Sequence, residues 1–402
     1  MTLMIFHMRP HCWSKQISKV LVATYNLNSS IQLNGTAVNY VFDVEKMAIL
    51  SVEYCLGVSE RKKIGILGNV VASPLIVQLY KHVLLEGGFP EVISDIDGLD
   101  EMLFSLGTEE QLTYASPFTE FFIKDIDAII RIFASTNRKR FSNVPPEKMR
   151  IRSLSQKRIR ELYSTHVKVG GLSIIPYPTE AFAQEAEMSL FEYEDFVTKA
   201  CFLDRPDPVQ EWIKLSKHQE RLVKQLNKAE TLSLKGEDTD LKMKVAGRTW
   251  INADGHINMP DGEIFTSPIE NTAEGQIRFT HPGIFMGREV EDITLFFKKG
   301  KVTEAKAEKG QELLEQILET DPGARRIGEI AIGNNKGINK FTKNMLFDEK
   351  MGHCIHLALG RSIAMTKGKN KSIIHWDILK DMSSGEIYAD DKLFYKDGKF
   401  LI

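Results

Sequence analysis

Cysteine is scarce in this chain, and its placement argues against a disulfide framework. The four cysteines among 402 residues, Cys12, Cys55, Cys201 and Cys354, are scattered and form no C-x-x-C pair. Disulfide-stapled domains and cysteine-ligated zinc sites need clustered cysteines, so neither is predicted. Scattered thiols are typical of a reducing compartment, which favours a cytoplasmic protein.

Long apolar runs and a strong charge imbalance are also lacking. The first residues, MTLMIFHMRPHCW, lack the basic and apolar segments of a signal peptide, and no run of about 18 apolar residues is present to span a bilayer. The formal net charge of −2 gives no broad attraction to nucleic acid or to an anionic membrane. We therefore predict a cytoplasmic protein that binds neither nucleic acid nor membranes.

Several common catalytic and nucleotide-binding motifs are absent. The chain contains no G-x-S-x-G, no H-E-x-x-H and no G-x-x-x-x-G-K-[ST], and GILGNVVAS does not spell G-x-G-x-x-G. These absences argue against a serine hydrolase and against a dinucleotide-dependent enzyme. Cys354 lies next to histidines in sequence, and we interpret it as a buried structural thiol.

What the chain does contain indicates two regions of different fold class. Its length predicts at least two domains. Residues 1–42 are poorly patterned and form an N-terminal extension of uncertain structure. Over 43–205, helical patterns alternate with short apolar strands, which predicts an α/β domain with a parallel sheet flanked by helices. A long amphipathic helix over 206–231 then connects to hairpin patterns, so 206–402 is predicted to be a β-rich α+β catalytic domain.

Capping and turn residues predict where individual helices and hairpins lie. Asp43 is the expected N-cap of a helix, and Ser73 followed by Pro74 is the expected start of another. PEKMRIRSLSQKRIRELYSTH is predicted as one helix. DGHINMPDGEIFTSP is expected to form a hairpin around Pro260-Asp261-Gly262, with further hairpin turns at Gly287 and Gly300.

The second region carries ionisable side chains in apolar surroundings. In SIIHWDILKD, His375 and Asp377 alternate with apolar residues, so a strand would present both on one face. Glu329 in RIGEIAIGNN is predicted to be a buried strand carboxylate, and Glu263 follows a turn glycine. LFDEKMGHCIHLALG adds Asp348, Glu349, His353 and His356 to the candidates.

Each of these residues alone has an ordinary structural explanation, such as a solvated carboxylate or a histidine bonded to a backbone carbonyl. Together they form the ligand set of a hard or borderline divalent ion. Without cysteine ligation, a catalytic centre is favoured over a structural zinc site. Several carboxylates and two histidines suit two ions about 3.5–4 Å apart.

Four segments carry a resemblance to a known family. INMPDGEIFTSP, GEIAIG, LFDEKMGHCIHLALG and KNKSIIHWD, in this order, are similar to segments of the thermophilic metalloaminopeptidases, which include aminopeptidase T, aminopeptidase S and their leucyl aminopeptidase relatives. The resemblance covers roughly residues 43–402. It implies a cytosolic homodimer that uses two divalent ions, zinc, cobalt or manganese, to remove N-terminal residues from short peptides.

The same resemblance implies which residues act. The metal ligands would be Glu263, Glu329, Glu349, His356, His375 and Asp377. Apart from the resemblance, Glu263 and Glu329 are the candidates for the catalytic base, since burial raises the pKa of a glutamate toward neutral pH, and the sequence does not separate base from ligand. Glu349 is the least secure ligand, since its interval to His356 is longer than in some relatives. His353 is an extra histidine interpreted as structural.

One position departs from the family pattern. Relatives often carry a tyrosine shortly after the HLALG histidine, where this chain has Ile363. The predicted function is therefore a metal-dependent aminopeptidase that acts through a metal-activated water. The alternative is a metal- or peptide-binding relative with weak or altered catalysis.

Overall fold

The computed structural model describes residues 30–33, 36–39, 41–168 and 170–401. Cys12 and most of the predicted extension over 1–42 lie outside the described residues. Two strands near the end of that segment, Ser30–Leu33 and Thr36–Asn39, pair in antiparallel fashion. The main chain from residue 41 onward forms a parallel sheet with helices, followed by a mostly antiparallel, strand-rich region, which confirms the predicted fold class.

The helices lie mainly in the first half of the chain. They are α1 Val44–Ile49, α2 Ser73–Leu85, α3 Leu99–Leu106, α4 Glu109–Thr113, α5 Pro117–Asp125, α6 Pro146–Ser155, α7 Lys157–Lys168, α8 Glu180–Glu185, α9 Leu190–Ala200, α10 Pro208–Leu226, α11 Gln311–Leu318 and α12 Met345–Asp348. A π-helical segment, Leu50–Cys55, continues α1, and short 3₁₀ turns occupy Val70–Ala72 and Ala364–Thr366. Within the described residues, no helix combines the length and apolar character needed to cross a membrane.

The strands fall into sheets of two, four, five and eight strands in the described part of the chain. They are β1 Ser30–Leu33, β2 Thr36–Asn39, β3 Lys63–Asn69, β4 Phe89–Asp95, β5 Ala128–Phe133, β6 Leu172–Pro176, β7 Thr231–Gly236, β8 Thr239–Lys244, β9 Ile251–Ala253, β10 Glu263–Thr266, β11 Glu274–Arg278, β12 Gly283–Phe285, β13 Arg288–Val290, β14 Thr294–Lys298, β15 Lys301–Lys306, β16 Ile327–Gly333, β17 Cys354–Gly360, β18 His375–Asp381, β19 Glu386–Ala389, β20 Lys392–Lys396 and β21 Lys399–Phe400.

The first sheet is parallel and has the strand order β4-β3-β5-β6. Ile64 and Ile130 on one of its faces belong to a buried cluster with Leu75 of α2. On the other face, Ile129 packs in a second cluster with Ile123 of α5. Helices thus cover both faces, as a parallel sheet of apolar strands requires.

Of the two helix starts predicted from capping residues, one is confirmed. The Asp43 carboxylate accepts hydrogen bonds from the N–H groups of Glu45 and Lys46, at 3.1 and 3.0 Å, and caps α1 as predicted. The prediction that Ser73 caps the next helix is wrong, because Ser73 lies inside α2 and Ala72 occupies the cap position. The helix directly continues the 3₁₀ turn that precedes it, so the turn takes over the role of a cap.

The single helix predicted from PEKMRIRSLSQKRIRELYSTH is also wrong, since α6 ends and α7 begins around Gln156. The Ser155 hydroxyl donates to the Arg152 carbonyl at 2.8 Å and to the Leu112 carbonyl at 3.2 Å. A serine that bonds backbone carbonyls in this way competes with helix continuation. The connecting helix α10 is likewise shorter than predicted, with Asp207 as N-cap and Asn227 at its end.

The antiparallel half contains a five-stranded sheet of order β18-β17-β16-β10-β9 and an eight-stranded sheet of order β15-β14-β11-β8-β7-β19-β20-β21. The hairpin turns predicted at Gly287 and Gly300 are confirmed, with φ of 78° and 73°. The hairpin predicted around Pro260-Asp261-Gly262 has its first arm earlier than expected. Strand β9 pairs with β10, and residues 254–262 form the connection.

Two buried clusters hold this half in place. The apolar face of the five-stranded sheet, with Ile330 and Leu357 fully buried, packs in one core with Leu314 of α11. The other cluster joins the parallel sheet to Trp212 of α10 and to Phe347 of α12. The domain boundary predicted near residue 205 stays a prediction.

Candidate metal centre

The register of four neighbouring strands gathers the candidate side chains on one face of the five-stranded sheet. Residues directly opposite each other in an antiparallel pair lie on the same face. Ala358 of β17 is opposite both Glu329 of β16 and Asp377 of β18, and Gly360 is opposite His375. His356 and Glu263 join this face through their pairing with Ala331 and Gly333 of β16 respectively. The pairings fix all five polar residues on one surface.

Small residues separate the polar side chains. Ala331, Gly333, Ala358 and Gly360 occupy the positions between the carboxylates and imidazoles, and they offer a methyl group or no side chain. A larger residue at any of these positions would fill the space in front of the sheet. The sequence therefore keeps a cavity where an apolar strand would ordinarily pack.

The His356 imidazole lies at the middle of the cluster and is 1% exposed. Its Nδ1 atom is 3.6 Å from Glu263 Oε2, while its Nε2 atom is 3.6 Å from Glu329 Oε1 and 3.7 Å from Asp377 Oδ1. His356 Nδ1 also lies 3.2 Å from the backbone carbonyl of Glu349. With Nδ1–H donated to that carbonyl, Nε2 is left as the acceptor facing the cluster.

The second imidazole, His375, is oriented in the same manner. Its Nδ1 atom is 2.7 Å from the Arg361 carbonyl, and its Nε2 atom is 3.3 Å from Glu329 Oε2 and 3.5 Å from Asp377 Oδ1. Backbone carbonyls thus fix both imidazoles with one ring nitrogen toward the carboxylates. Histidines that ligate metals in proteins are commonly held in this way.

Two contacts position Glu263 at the start of β10. Gln219 of α10 donates from its amide to the Glu263 carbonyl at 3.0 Å and to the Ala253 carbonyl at 2.9 Å. The preceding Gly262 has φ of +113°, and a Cβ there would lie 2.9 Å from the Asn335 Cβ. Glycine is therefore required at this turn, and helix α10 ties the paired strands β9 and β10 together.

Burial and mutual attraction shift the pKa values of the cluster. Burial raises the pKa of Glu263 to about 8, against the attraction of His356 and Lys350. Burial works in the same direction on Asp377, but the His375 contact and the positive charges of His356 and Lys350 together outweigh it and hold the pKa of Asp377 at about 2. Burial opposes a charged imidazole, yet contacts with Asp377 and Glu329 raise the pKa of His375 to about 11.

The site leaves buried acceptors without partners. Among the described residues, neither Glu263 Oε2 nor Asp377 Oδ1 accepts a hydrogen bond. A buried carboxylate oxygen without a donor is costly unless a cation is present. Neutral imidazole nitrogens and carboxylate oxygens are the donors that zinc, cobalt and manganese accept. The residues present therefore fit a divalent metal ion.

The donor atoms form two overlapping groups that share Asp377. One group contains Glu329 and His375, and the other contains Glu349 and His356. In each group the three donor atoms lie within 4.8 Å of one another. These groups contain five of the six predicted ligands, including the least secure one, and the sixth, Glu263, lies 3.6 Å from His356. Their role as ligands stays a prediction.

Glu349 differs from the other candidates because it has a basic partner. Its Oε1 atom contacts Lys350 Nζ, and this lysine is completely buried. The neighbouring Asp348 is not part of the cluster, because its carboxylate accepts three hydrogen bonds from Thr342 and Asn344. His353 is also outside the cluster and lies 3.2 Å from the Gly398 carbonyl.

A cavity of about 370 Å³ opens onto the cluster. Ile363, which stands where relatives often have a tyrosine, lines this cavity together with Met365 and Phe265. The cavity also exposes His256, whose Nδ1 is 2.8 Å from Asp254 Oδ1. The open space beside the candidate ligands is therefore partly apolar and carries one oriented imidazole.

Three of these residues were missed by sequence reasoning: Lys350, Asp254 and His256. Lys350 follows Glu349 in a segment rich in charges, where a lysine is normally exposed, so its burial had no sequence signal. His256 and Asp254 do stand close together in DGHINMPD, directly before the predicted ligand turn. Their spacing was the available signal.

Comparisons with known proteins identify the family of this chain. The model of the family described as thermophilic metalloprotease (M29) matches residues 42–400. Aminopeptidase AmpS of Bacillus subtilis is 32% identical over 228 residues, which cover 49% of this chain and 55% of AmpS. Aminopeptidase T of Thermus thermophilus is 26% identical over 407 residues, which cover 89% of this chain and 95% of that protein.

A solved structure, wild-type AmpT from Thermus thermophilus, matches with a TM-score of 0.78 at 24% identity. The match covers 89% of this chain and 99% of AmpT, and it establishes the fold. The family match extends over both the parallel and the antiparallel region. The chain therefore belongs to the thermophilic metalloprotease (M29) family.

Proposed function

We propose that this protein is a metal-dependent aminopeptidase that removes N-terminal residues from short peptides. The observation that carries the proposal is the polar face of the five-stranded sheet, where two buried carboxylate oxygens have no donor among the described residues and lie beside two oriented imidazoles. Membership of a metalloprotease family and the similarity to proteins named aminopeptidase support the same activity.

Two divalent ions fit the site better than one. The two donor groups share Asp377, and their remaining members differ. A shared carboxylate between two sets of ligands is suited to a pair of ions about 3.5–4 Å apart. We assign Glu329 and His375 to one ion and Glu349 and His356 to the other. Zinc, cobalt and manganese are the candidate metals, given the nitrogen and oxygen donors.

Bound ions would supply Lewis acidity and lower the pKa of a water molecule from 15.7 toward about 7. The chain's own residues would then position the substrate and move the proton. Glu329 lies between both imidazoles, at 3.6 and 3.3 Å, so it is best placed as a ligand. Glu263 meets only one imidazole and keeps Oε2 without a donor among the described residues, so we assign the general base to Glu263.

The charge of the cavity favours a peptide with a free N-terminus. Carboxylates of Asp254, Asp261, Glu263, Glu329 and Asp377 line it, so a protonated α-amino group would be attracted. The apolar lining by Phe265 and Met365 offers contact to the side chain of the first residue. His256, held by Asp254, would donate a hydrogen bond to the peptide backbone as a positioning residue.

A second candidate function is a metal- or peptide-binding relative with weak or altered catalysis. The specific observation in its favour is that Ile363 lines the cavity at the position where relatives often have a tyrosine. An Ile363→Tyr variant separates the two functions. We expect wild-type protein to be active and the variant to change kcat only modestly. Inactive wild type together with an active variant would support the binding function.

We also propose that the protein is a cytoplasmic homodimer. The edge strand β4 of the parallel sheet exposes Phe89 at 54% and Val92 at 40%, and Ile96 just beyond it is 56% exposed. Exposed apolar side chains on an edge strand are suited to covering by a second copy. Light scattering coupled to size-exclusion chromatography tests the dimer.

The free, buried cysteines Cys55, Cys201 and Cys354 fit a reducing compartment.

The activity is tested on the purified, full-length chain. Bound metal is quantified by mass spectrometry, and hydrolysis of leucine p-nitroanilide and short peptides is followed before and after chelation and after adding zinc, cobalt or manganese. We expect about two ions per chain, loss of activity on chelation and recovery on metal addition. Hydrolysis that survives complete metal removal, or cleavage of N-acetylated peptides at internal bonds, would contradict the proposal.

A further inference from the structure

A second cavity, of about 520 Å³, lies at the parallel sheet and is separate from the candidate metal centre. Residues at the carboxyl ends of three strands line it, including Asn69 of β3, Asp95 of β4 and Phe133 of β5. Helices α5 and α7 close its sides through Phe122 and Tyr163. None of its lining residues also lines the cavity at the metal centre.

The position of this cavity in the sheet is the one that open α/β sheets use for ligands. The order β4-β3-β5-β6 means that the chain leaves β3 toward one edge and returns to the opposite side of β3 with β5. Such a reversal creates a crevice beyond the carboxyl ends of the two central strands. Leu67 and Gly68 of β3 and Ile132 of β5 line the cavity at that point.

The lining is positively charged. It contains three guanidinium groups, Arg131, Arg138 and Arg140, against one carboxylate, Asp95, among the described residues. Arg140 forms ion pairs with two aspartates that do not line the cavity, Asp97 at 3.6 Å and Asp100 at 3.7 Å. With Asp95 included, the three arginines are matched in number by carboxylates, and Arg131 and Arg138 are the two that form no ion pair among the described residues.

Arg131 and Arg138 are held by aromatic rings and have no carboxylate partner in the part of the chain that the structure describes. Arg131 lies over the Tyr163 ring at 5.9 Å, and Arg138 lies over the Phe182 ring at 5.0 Å. Ring stacking orients a guanidinium and leaves its N–H groups available. Two oriented guanidiniums at one cavity form a site for a phosphate or carboxylate group.

We propose that this cavity binds a nucleoside monophosphate, with Arg131 and Arg138 on the phosphate and aromatic side chains against the base. Phe133, Phe141 and Tyr163 provide apolar ring surface in the same lining. The volume lies within the range of about 300–1,000 Å³ that small-molecule sites occupy. A flat ring with one anionic group matches both the charge and the aromatic character of the lining.

The sequence around β3 limits the number of phosphates. The turn after this strand, Val70–Ala72, contains no glycine, and GILGNVVAS does not supply the glycine-rich loop that cradles a pyrophosphate. Arginine side chains therefore replace backbone N–H groups as the phosphate donors. A monophosphate suits such a site better than a dinucleotide or a nucleoside triphosphate.

Isothermal titration of the full-length, metal-loaded protein tests this inference with adenosine 5′-monophosphate, adenosine and inorganic phosphate as separate probes. We expect saturable binding of the monophosphate, at least about tenfold tighter than either part alone, since both the anion and the ring contribute. Equal binding of phosphate and monophosphate, or no saturable binding, would overturn the proposal.

The arginines are tested with Arg131→Gln and Arg138→Gln together, with Arg288→Gln as the control because Arg288 is an exposed residue of β13, outside this lining. We expect the double variant to weaken monophosphate binding by about tenfold or more, with an unchanged circular dichroism spectrum and melting temperature. Binding that is unaffected by the double variant, or weakened equally by Arg288→Gln, would overturn the assignment. Since the site is separate from the metal centre, this test is independent of the aminopeptidase proposal.

Discussion

The two principal sheets of this protein place their polar side chains in different parts of their strands. In the antiparallel five-stranded sheet, Glu329, His356 and Asp377 lie within strands and share one face, while the opposite face is buried in a core. In the parallel sheet, both faces are covered by helices, and the polar residues that line a cavity, such as Asn69 and Asp95, lie where strands end.

This difference follows from what each sheet must bury. A parallel sheet covered on both sides can leave polar groups only near its carboxyl edge. An antiparallel sheet can devote one complete face to chemistry, provided that the other face supplies the packing. The polar face then needs partners for its buried charges, and in this protein carboxylates and imidazoles are arranged against one another. The comparison predicts that changes to the polar face alter function, while changes at the junction of the sheets alter stability.

The largest expected effect comes from replacing each of the two glutamates of the polar face in a separate variant. Glu329→Gln should lose both bound metal and peptidase activity, because Glu329 lies between the two imidazoles. Glu263→Gln should retain most of the metal but lower kcat by about 10²–10⁴-fold, as expected for loss of a general base. Metal analysis and leucine p-nitroanilide hydrolysis, measured on the same preparations, distinguish the two outcomes.

The control for this pair is His353→Ala, since His353 is exposed and its imidazole lies outside the cluster, 3.2 Å from the Gly398 carbonyl. It should retain metal and activity. Equal metal loss in both glutamate variants would contradict the division of roles, and full activity in Glu329→Gln would remove Glu329 from the site.

A somewhat smaller effect is expected from filling the space in front of the sheet. Ala358 lies opposite both Glu329 and Asp377, so the side chain of Ala358→Leu would project between the two carboxylates. We expect reduced metal content and activity, with a stability cost of about 1–3 kcal/mol from overpacking. Metal analysis and thermal unfolding measure the two effects separately.

The matched control is the adjacent residue on the opposite face. Leu357 is fully buried in the apolar core, and Leu357→Met nearly preserves its volume. This variant should cost less than about 1.5 kcal/mol and leave the metal content unchanged. An Ala358→Leu protein with normal metal content would show that the cavity does not hold the ions.

Much of the fold and part of the site could be predicted from short-range patterns. Alternation of polar and apolar residues in SIIHWDILKD predicted that His375 and Asp377 share a face, and the register confirms it. The strand assignment of Glu329 and its burial are also confirmed. These features depend on neighbours within one strand, which the sequence displays directly.

The grouping of residues from distant segments could not be predicted from such patterns. Strand order and register decide which residues lie opposite each other, and the resemblance to a family supplied that grouping. Lys350 illustrates the limit, because it is the sequence neighbour of Glu349 but only tertiary packing buries its side chain completely. Arg131 is similar: it lies in the region over 43–205 where apolar strands were predicted, but the cavity beside it depends on where α5 and α7 pack.

A third variant tests how tightly the two regions are joined. Trp212 of α10 is fully buried in the cluster that includes residues of both sheets, and its indole N–H donates to the Cys201 carbonyl at 3.1 Å. Trp212→Ala should lower the free energy of unfolding by about 3–5 kcal/mol. Because the cluster is shared, chemical unfolding followed by two spectroscopic probes should show both regions destabilised together.

The control for this variant is Phe191→Ala, since Phe191 is 66% exposed and its removal should have little effect on stability. If Trp212→Ala shifted only one of two separate transitions, the regions would unfold independently and the shared cluster would not couple them.

The smallest expected effect concerns the loop that leads into β18. Asp321 Oδ1 accepts the N–H groups of Gly323 and Ala324 at 2.8 and 3.1 Å, and Oδ2 accepts the Ser372 hydroxyl and the Ile373 N–H at 2.8 Å each. Asp321→Asn keeps one oxygen as an acceptor, but its amide N–H₂ would face N–H or O–H groups that need an acceptor. We expect a loss of about 1 kcal/mol or less, since the carboxylate is solvent-accessible.

The pH dependence of this small effect identifies its cause. Partial burial would raise the pKa of Asp321, but the four hydrogen bonds outweigh burial and hold the pKa below its ordinary value of 3.8. A lowered pKa in the folded state means that the carboxylate stabilises the fold above its unfolded pKa and loses this contribution as pH falls through its folded pKa. The difference in melting temperature between wild type and Asp321→Asn should therefore be constant from pH 6 to about 7 and shrink below about pH 4. A difference that stayed constant into acid would show that the variant acts through the shape of the amide and not through the lost charge.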